Sequence, residues 1–214
     1  MQNDGDHIRR LLERYPVLRD CAKEILDAYE VLAATYKGGG KVLLCGNGGS
    51  AADSEHIASE LMKGFLRRRP IPPIHRRKLE EVAGQAGVEI ASLLQVALPA
   101  IGLTTQNAIN TAIINDTRAD MAFAQQVYGL GKRGDALVGI STSGNSKNVV
   151  NAFYVAKMLG MKTVALTGRS GGVLANLADV VIKVPADSVT EIQELHLPVY
   201  HTLCLMLEAH FFPQ

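Results

Sequence analysis

The sequence predicts an α/β fold: a three-layer α/β/α sandwich around a five-stranded parallel sheet. Three observations lead there. Five short, almost continuous apolar runs occur along the chain, as expected of strands covered on both faces. Polar, glycine-rich turns and helical patterns alternate with these runs, which is the rhythm of a parallel sheet with crossover helices. Aromatic residues make up only 5% of the chain and Trp is absent, so the core is aliphatic and suits helices packed on such a sheet.

From Ile8 to Tyr36 apolar residues recur largely at three- and four-residue intervals, predicting one or two amphipathic helices broken near Pro16. This N-terminal helical arm (residues 1–37) precedes the main domain (38–214), and its apolar face is expected on the outside of the core or on a neighbouring subunit. After Gly38, Gly39 and Gly40 the first strand is KVLLCG (41–46), followed by a turn at 47–49 and a helix from Ser50. The next runs are VALPAIGLT (96–104), ALVGIS (136–141), KTVALTG (162–168) and VVIKVP (180–185), and a long helix over about 190–210 closes the chain. One basic insertion, about 67–95, interrupts the pattern. Its first half holds Arg67, Arg68, Arg69 and three prolines and is expected to be extended or turned, whereas 78–94 reads as a helix. A solvated surface is the simplest reading of its charge, contact with an anionic substrate the sharper one.

Composition narrows the function. Of the 214 residues 22 are Lys or Arg and 21 Asp or Glu, so there is no global electrostatic case for nucleic acid or membrane. Three distant cysteines (Cys21, Cys45, Cys204) without a CxxC pair encode neither a disulfide framework nor a thiolate zinc cluster. With no export signal and no run of 18 apolar residues, the expectation is a cytoplasmic protein.

Two loops stand at predicted strand ends. GNGGS (46–50) and STSGNS (141–146) combine small residues, free backbone N–H groups and hydroxyls ahead of helices, the makings of a phosphate cradle. Neither is a Walker A loop or a full GxGxxG fingerprint, which disfavours nucleotides. On the helices, His56 and Glu60 are four residues apart and share a face; Gln193 and His201, eight apart, share another. Two imidazoles, a carboxylate and an amide are a chemically plausible set for zinc, although an amide is an uncommon zinc ligand and spacing alone favours polar residues at a packed interface. His196 and His210 read as structural or surface residues.

The motifs GNGGSAADSEHIASEL, GLTT and IIND within 102–116, STSGNS and EIQELHLPVYH resemble the sugar isomerase (SIS) domain family, over about 41–210 and with a helical arm in the family's manner. Within it they resemble the branch that isomerises seven-carbon sugar phosphates. The resemblance implies phosphate and substrate contacts from Asn47, Gly48, Gly49, Asn115, Asp116, Ser141, Thr142, Ser143 and Ser146, with Ser50 added by geometry. It also implies zinc, one ion per subunit, held by His56, Glu60, Gln193 and His201, with Glu60 and Gln193 also touching substrate. A homotetramer with sites near subunit interfaces is implied too. The expected reaction converts sedoheptulose 7-phosphate to D-glycero-D-manno-heptose 7-phosphate through an enediol(ate), with Glu60 and His201 as the acid/base residues. Two features depart from the family. The 67–95 segment is longer than the expected connector, and Glu191 stands where the family usually has Arg. The alternatives are a non-catalytic sugar-phosphate-binding regulator, of the kind that binds a replication initiator, and a nucleic-acid arm at 67–95.

Overall fold

The computed structural model describes residues 4–213, so the first three residues of the predicted arm and Gln214 lie outside it. Helix α1 (Asp4–Arg14) ends at Tyr15, and Pro16 opens a 3-10 turn (Pro16–Cys21) that redirects the chain into α2 (Ala22–Lys37). The apolar face of α2, including Ile25, Tyr29 and Leu32, is buried in the same core as the sheet residues Val42 and Val138. The arm thus packs on the body of its own chain, with α1 and α2 both against the last helix.

Strand β1 (Val42–Gly46) explains why its sequence is continuously apolar. Val42 and Leu44 enter one core while Leu43 and Cys45 enter the other, because successive side chains leave opposite faces of a sheet. Each fully buried Leu or Ile contributes about 1.5–3 kcal/mol. Helix α3 (Gly49–Met62) follows, then α4 (Pro73–Leu93), β2 (Ala100–Gly102), α5 (Asn107–Asp116) and α6 (Ala122–Leu130). The second half of the chain runs β3 (Ala136–Ile140), α7 (Lys147–Met158), β4 (Lys162–Thr167), the single turn α8 (Leu174–Leu177), β5 (Val180–Lys183) and α9 (Val189–Phe211). The five strands form one all-parallel sheet in the order β2-β1-β3-β4-β5.

That order reverses direction between β1 and β3. Ile57 and Leu61 of α3 join the core under α9, whereas Val149 and Phe153 of α7 join the opposite one. The helices after two adjacent strands therefore leave to opposite faces, opening a crevice at the strand ends where ligands bind in open α/β sheets. Both glycine- and serine-rich loops lie there.

Three elements differ from the sequence expectation. Strand β2 is three residues rather than nine: Pro99 has no N–H, and the N–H groups of Val96 and Leu98 bond to the carbonyls of Arg69 and Leu61 instead of a strand. Helix α4 starts at Pro73, because proline suits the first helical turn, where its missing N–H costs nothing. The same helix breaks at Gly84, whose φ of +55° favours glycine; the chain folds back so that Gly87 lies against the backbone of Leu79. No helix among the described residues is long and apolar enough to cross a membrane.

One buried histidine ties α9 to β4. His196 is fully buried, its Nε2–H donating to the carbonyl of Thr167 at 3.3 Å while Nδ1 has no partner. Burial pushes its pKa down to about 4, partly countered by that bond. The folded value lies below the unfolded one, so the neutral ring stabilises the fold above about pH 6.5 and that stability drains away towards pH 4. We expect denaturant unfolding to register a loss on the order of 2–3 kcal/mol between pH 7 and 4.5. In His196→Leu that part of the slope should vanish; an unchanged pH profile would remove His196 as its cause.

Candidate active site

The first loop is the β1–α3 turn. Ser50 N–H closes it on the carbonyl of Asn47, and buried Ser50 packs beneath it against Gly46. Asn47 reaches across the crevice to the first turn of α7, where it exchanges two amide hydrogen bonds with Asn148 (3.0 and 2.8 Å). The two loops are thereby joined. In the second, Ser141 and Ser146 share a 3.0 Å hydroxyl contact, and Gly144 turns back to the carbonyl of Ser141. Because Ser146 spends its hydroxyl there, it does not cap α7, and the helix presents its N-terminus to the crevice. Thr142 and Ser143 line a cavity of about 240 Å3 together with Arg169.

Gln193 comes to the first loop from α9. A Cβ at Gly49 would stand 2.5 Å from the Gln193 Nε2, so the glycine is what lets the amide seat on the turn. Glu191, the departure noted above, has a local role. The Ser188 hydroxyl accepts from Glu191 N–H and donates to the Glu191 carboxylate at 2.7 Å, a capping arrangement that starts α9.

His56 and Glu60 meet side by side on α3, with 3.3 Å between Nε2 and Oε1. The other Glu60 oxygen accepts from Lys63 at 3.3 Å. His201 stands edge-to-face against His56, ring centroids 4.9 Å apart, and packs on Phe65. Its Nε2 is buried and has no hydrogen-bond partner. Burial, then the neighbouring His56, holds its pKa below the ordinary imidazole value, which keeps the lone pair available. Among the described residues no three His, Cys, Asp or Glu side chains converge on a single point. The donor types nevertheless fit zinc, and the orphaned His201 nitrogen beside the His56–Glu60 pair is the observation that fits a missing ligand. His201 also lines a cavity of about 570 Å3 between α1 and α9, with Arg10, Arg14, Phe65 and Leu197.

A buried ion pair holds this frame. Arg69 and Glu208 are each 1% exposed and meet at 2.8 Å. The guanidinium also donates to the carbonyls of Leu61 and Glu60 at the end of α3. Glu208, two turns beyond His201 on α9, accepts the N–H groups of Phe65, Leu66 and Arg67. Burial pushes the Glu208 carboxyl up, and the N–H groups of Leu66 and Phe65 with Arg69 more than reverse that, leaving it below its ordinary value. The pair thus fixes the helix end carrying Glu60 against the helix carrying His201.

Asn115 and Asp116 are exposed at the end of α5 and bond to each other, with no hydrogen bond to either loop among the described residues. Asn148, Lys63 and the Arg69–Glu208 pair were not singled out by sequence patterning. For Lys63 the available signal is its position three residues after Glu60.

Residues 5–75 and 76–168 match the SIS domain family. The chain belongs to the SIS domain family. Its relatives there include phosphoheptose isomerases from Akkermansia muciniphila (36% identical, over 97% of this chain and 96% of that one) and Sulfurimonas denitrificans (41%, over 88% and 84%). The structure of a phosphoheptose isomerase from Neisseria gonorrhoeae superposes with a TM-score of 0.74 at 33% identity, covering 96% of each chain. One from Francisella tularensis gives 0.73 at 33%, covering 94% of this chain and 96% of that one. This SIS chain is similar to phosphoheptose isomerases along nearly its full length.

Proposed function

We propose that this SIS chain isomerises sedoheptulose 7-phosphate to D-glycero-D-manno-heptose 7-phosphate. The observation that carries the reading is the juxtaposition of His56, Glu60 and His201 beside a two-loop cradle suited to a phosphate. A non-catalytic sugar-phosphate sensor needs the cradle but has no use for two imidazoles and a carboxylate next to it.

The loops at 47–50 and 141–146 bind the phosphate through backbone N–H groups, hydroxyls and the α7 N-terminus. Glu60 takes a proton from C1 of the ketose and returns it at C2, and His201 moves protons among the oxygens of the enediol(ate). The two Glu60 oxygens face different neighbours, His56 and Lys63, which leaves separate oxygens for ligation and proton transfer. His56, Glu60, Gln193 and His201 would hold zinc, which when bound supplies Lewis-acid polarisation of the substrate oxygens.

We also propose a homotetramer in the cytoplasm. Large exposed side chains such as Tyr154, Met158 and Val82 support assembly, and three free buried cysteines support a reducing compartment. Conversion of sedoheptulose 7-phosphate, followed as aldose formation, tests the reaction; a folded, metal-loaded protein that makes no aldose would refute it.

A further inference from the structure

We infer that Asp53 and Tyr200 are positioning residues that fix the tautomer of His56, an inference that rests on the metal reading above. Tyr200 is 1% exposed and sits next to His201 on α9, yet its hydroxyl reaches two groups on α3. It donates to Asp53 Oδ1 at 3.2 Å and lies 3.1 Å from His56 Nδ1. A phenol has one proton and a carboxylate only accepts, so once the Tyr200 proton points at Asp53 the remaining contact requires a donor on the histidine. His56 therefore carries a proton on Nδ1, which leaves Nε2, the nitrogen that faces Glu60 at 3.3 Å, as the one that would give its lone pair to a metal.

The chain Asp53–Tyr200–His56 is the outer support a metal-binding imidazole uses: a hydrogen bond to the far nitrogen orients the ring and strengthens the near one as a ligand. A single hydroxyl also ties α3 to α9 at the level of both histidines, whose rings lie 5.5 and 5.0 Å from that of Tyr200. Among the described residues the Tyr200 hydroxyl bonds to Asp53 and His56 and to neither phosphate loop nor Glu60, so the hydroxyl acts on the reaction through His56, while the ring packs on both histidines.

Tyr200→Phe tests this, because it keeps the ring and its packing and removes only the hydroxyl. Zinc affinity would be measured by competition with a chelator of known affinity, and the His56 tautomer by nitrogen NMR of the metal-free protein. The expected result is a zinc Kd raised about 10–100-fold, with loss of the Nδ1–H signal of His56. Asp53→Asn keeps an accepting oxygen for the phenol and should weaken zinc binding less than Tyr200→Phe does, an order that a merely structural role would not predict. Wild-type zinc affinity and an unchanged His56 pattern in Tyr200→Phe would overturn the proposal. Should the wild-type protein take up no zinc while Tyr200→Phe still shifts the His56 tautomer, the metal reading falls and the positioning of His56 stands.

Discussion

Breaking the Arg69–Glu208 pair should be the most damaging single change to the fold. Arg69→Met or Glu208→Leu leaves the other charge buried without its partner, at an expected cost of about 3–5 kcal/mol. At about 2–4 °C per kcal/mol for a chain of this size, the midpoint of thermal unfolding should fall by roughly 6–20 °C. An isolated buried ion pair can often be replaced by two apolar residues without loss, but this one has further obligations. Three backbone N–H groups, of Phe65, Leu66 and Arg67, end on Glu208, and two carbonyls, of Glu60 and Leu61, end on Arg69. The double variant should therefore remain destabilised, because those backbone groups stay buried without partners. Denaturant unfolding decides the matter: single variants within about 1 kcal/mol of wild type would show that the pair is not a structural anchor.

The largest effect on chemistry is expected from Glu60→Gln. The substitution preserves shape and the helix, and the side chain is a partly exposed group on α3 rather than part of the core. As the proton-transferring base it should lower kcat by about 10²–10⁴-fold. Substrate binding should change far less, since the two loops that hold the phosphate are untouched. Steady-state kinetics on zinc-loaded protein with an unchanged melting curve measures this. A near-normal kcat would remove Glu60 from the proton transfer.

How far the sequence reveals this molecule depends on the range of the interactions. Strands β1, β3 and β4 are legible because both of their faces are buried, which makes β1 and β3 apolar or glycine throughout and gives β4 an apolar centre, Val164 to Leu166. Strand β2 is legible only in part: Val96 to Pro99 look like strand residues, yet the N–H groups of Val96 and Leu98 are held by the carbonyls of Arg69 and Leu61, partners that no local pattern announces. The 67–69 run reads as solvated charge, and Arg68 is exposed, while Arg67 is half-buried and donates to the carbonyl of Phe212. Arg69, however, is interior because of a glutamate 139 residues further on. In the site, helical spacing correctly pairs His56 with Glu60. That Tyr200 reaches back to Asp53 and His56 follows only from the packing of α9 on α3.

Isomerase turnover with sedoheptulose 7-phosphate, compared between chelated and zinc-reconstituted protein and the His201→Ala variant, tests the catalytic assignment most directly. Aldose formation that disappears on chelation, returns with zinc and does not return in His201→Ala is the predicted result. Wild-type turnover by the chelated protein or by His201→Ala would contradict it.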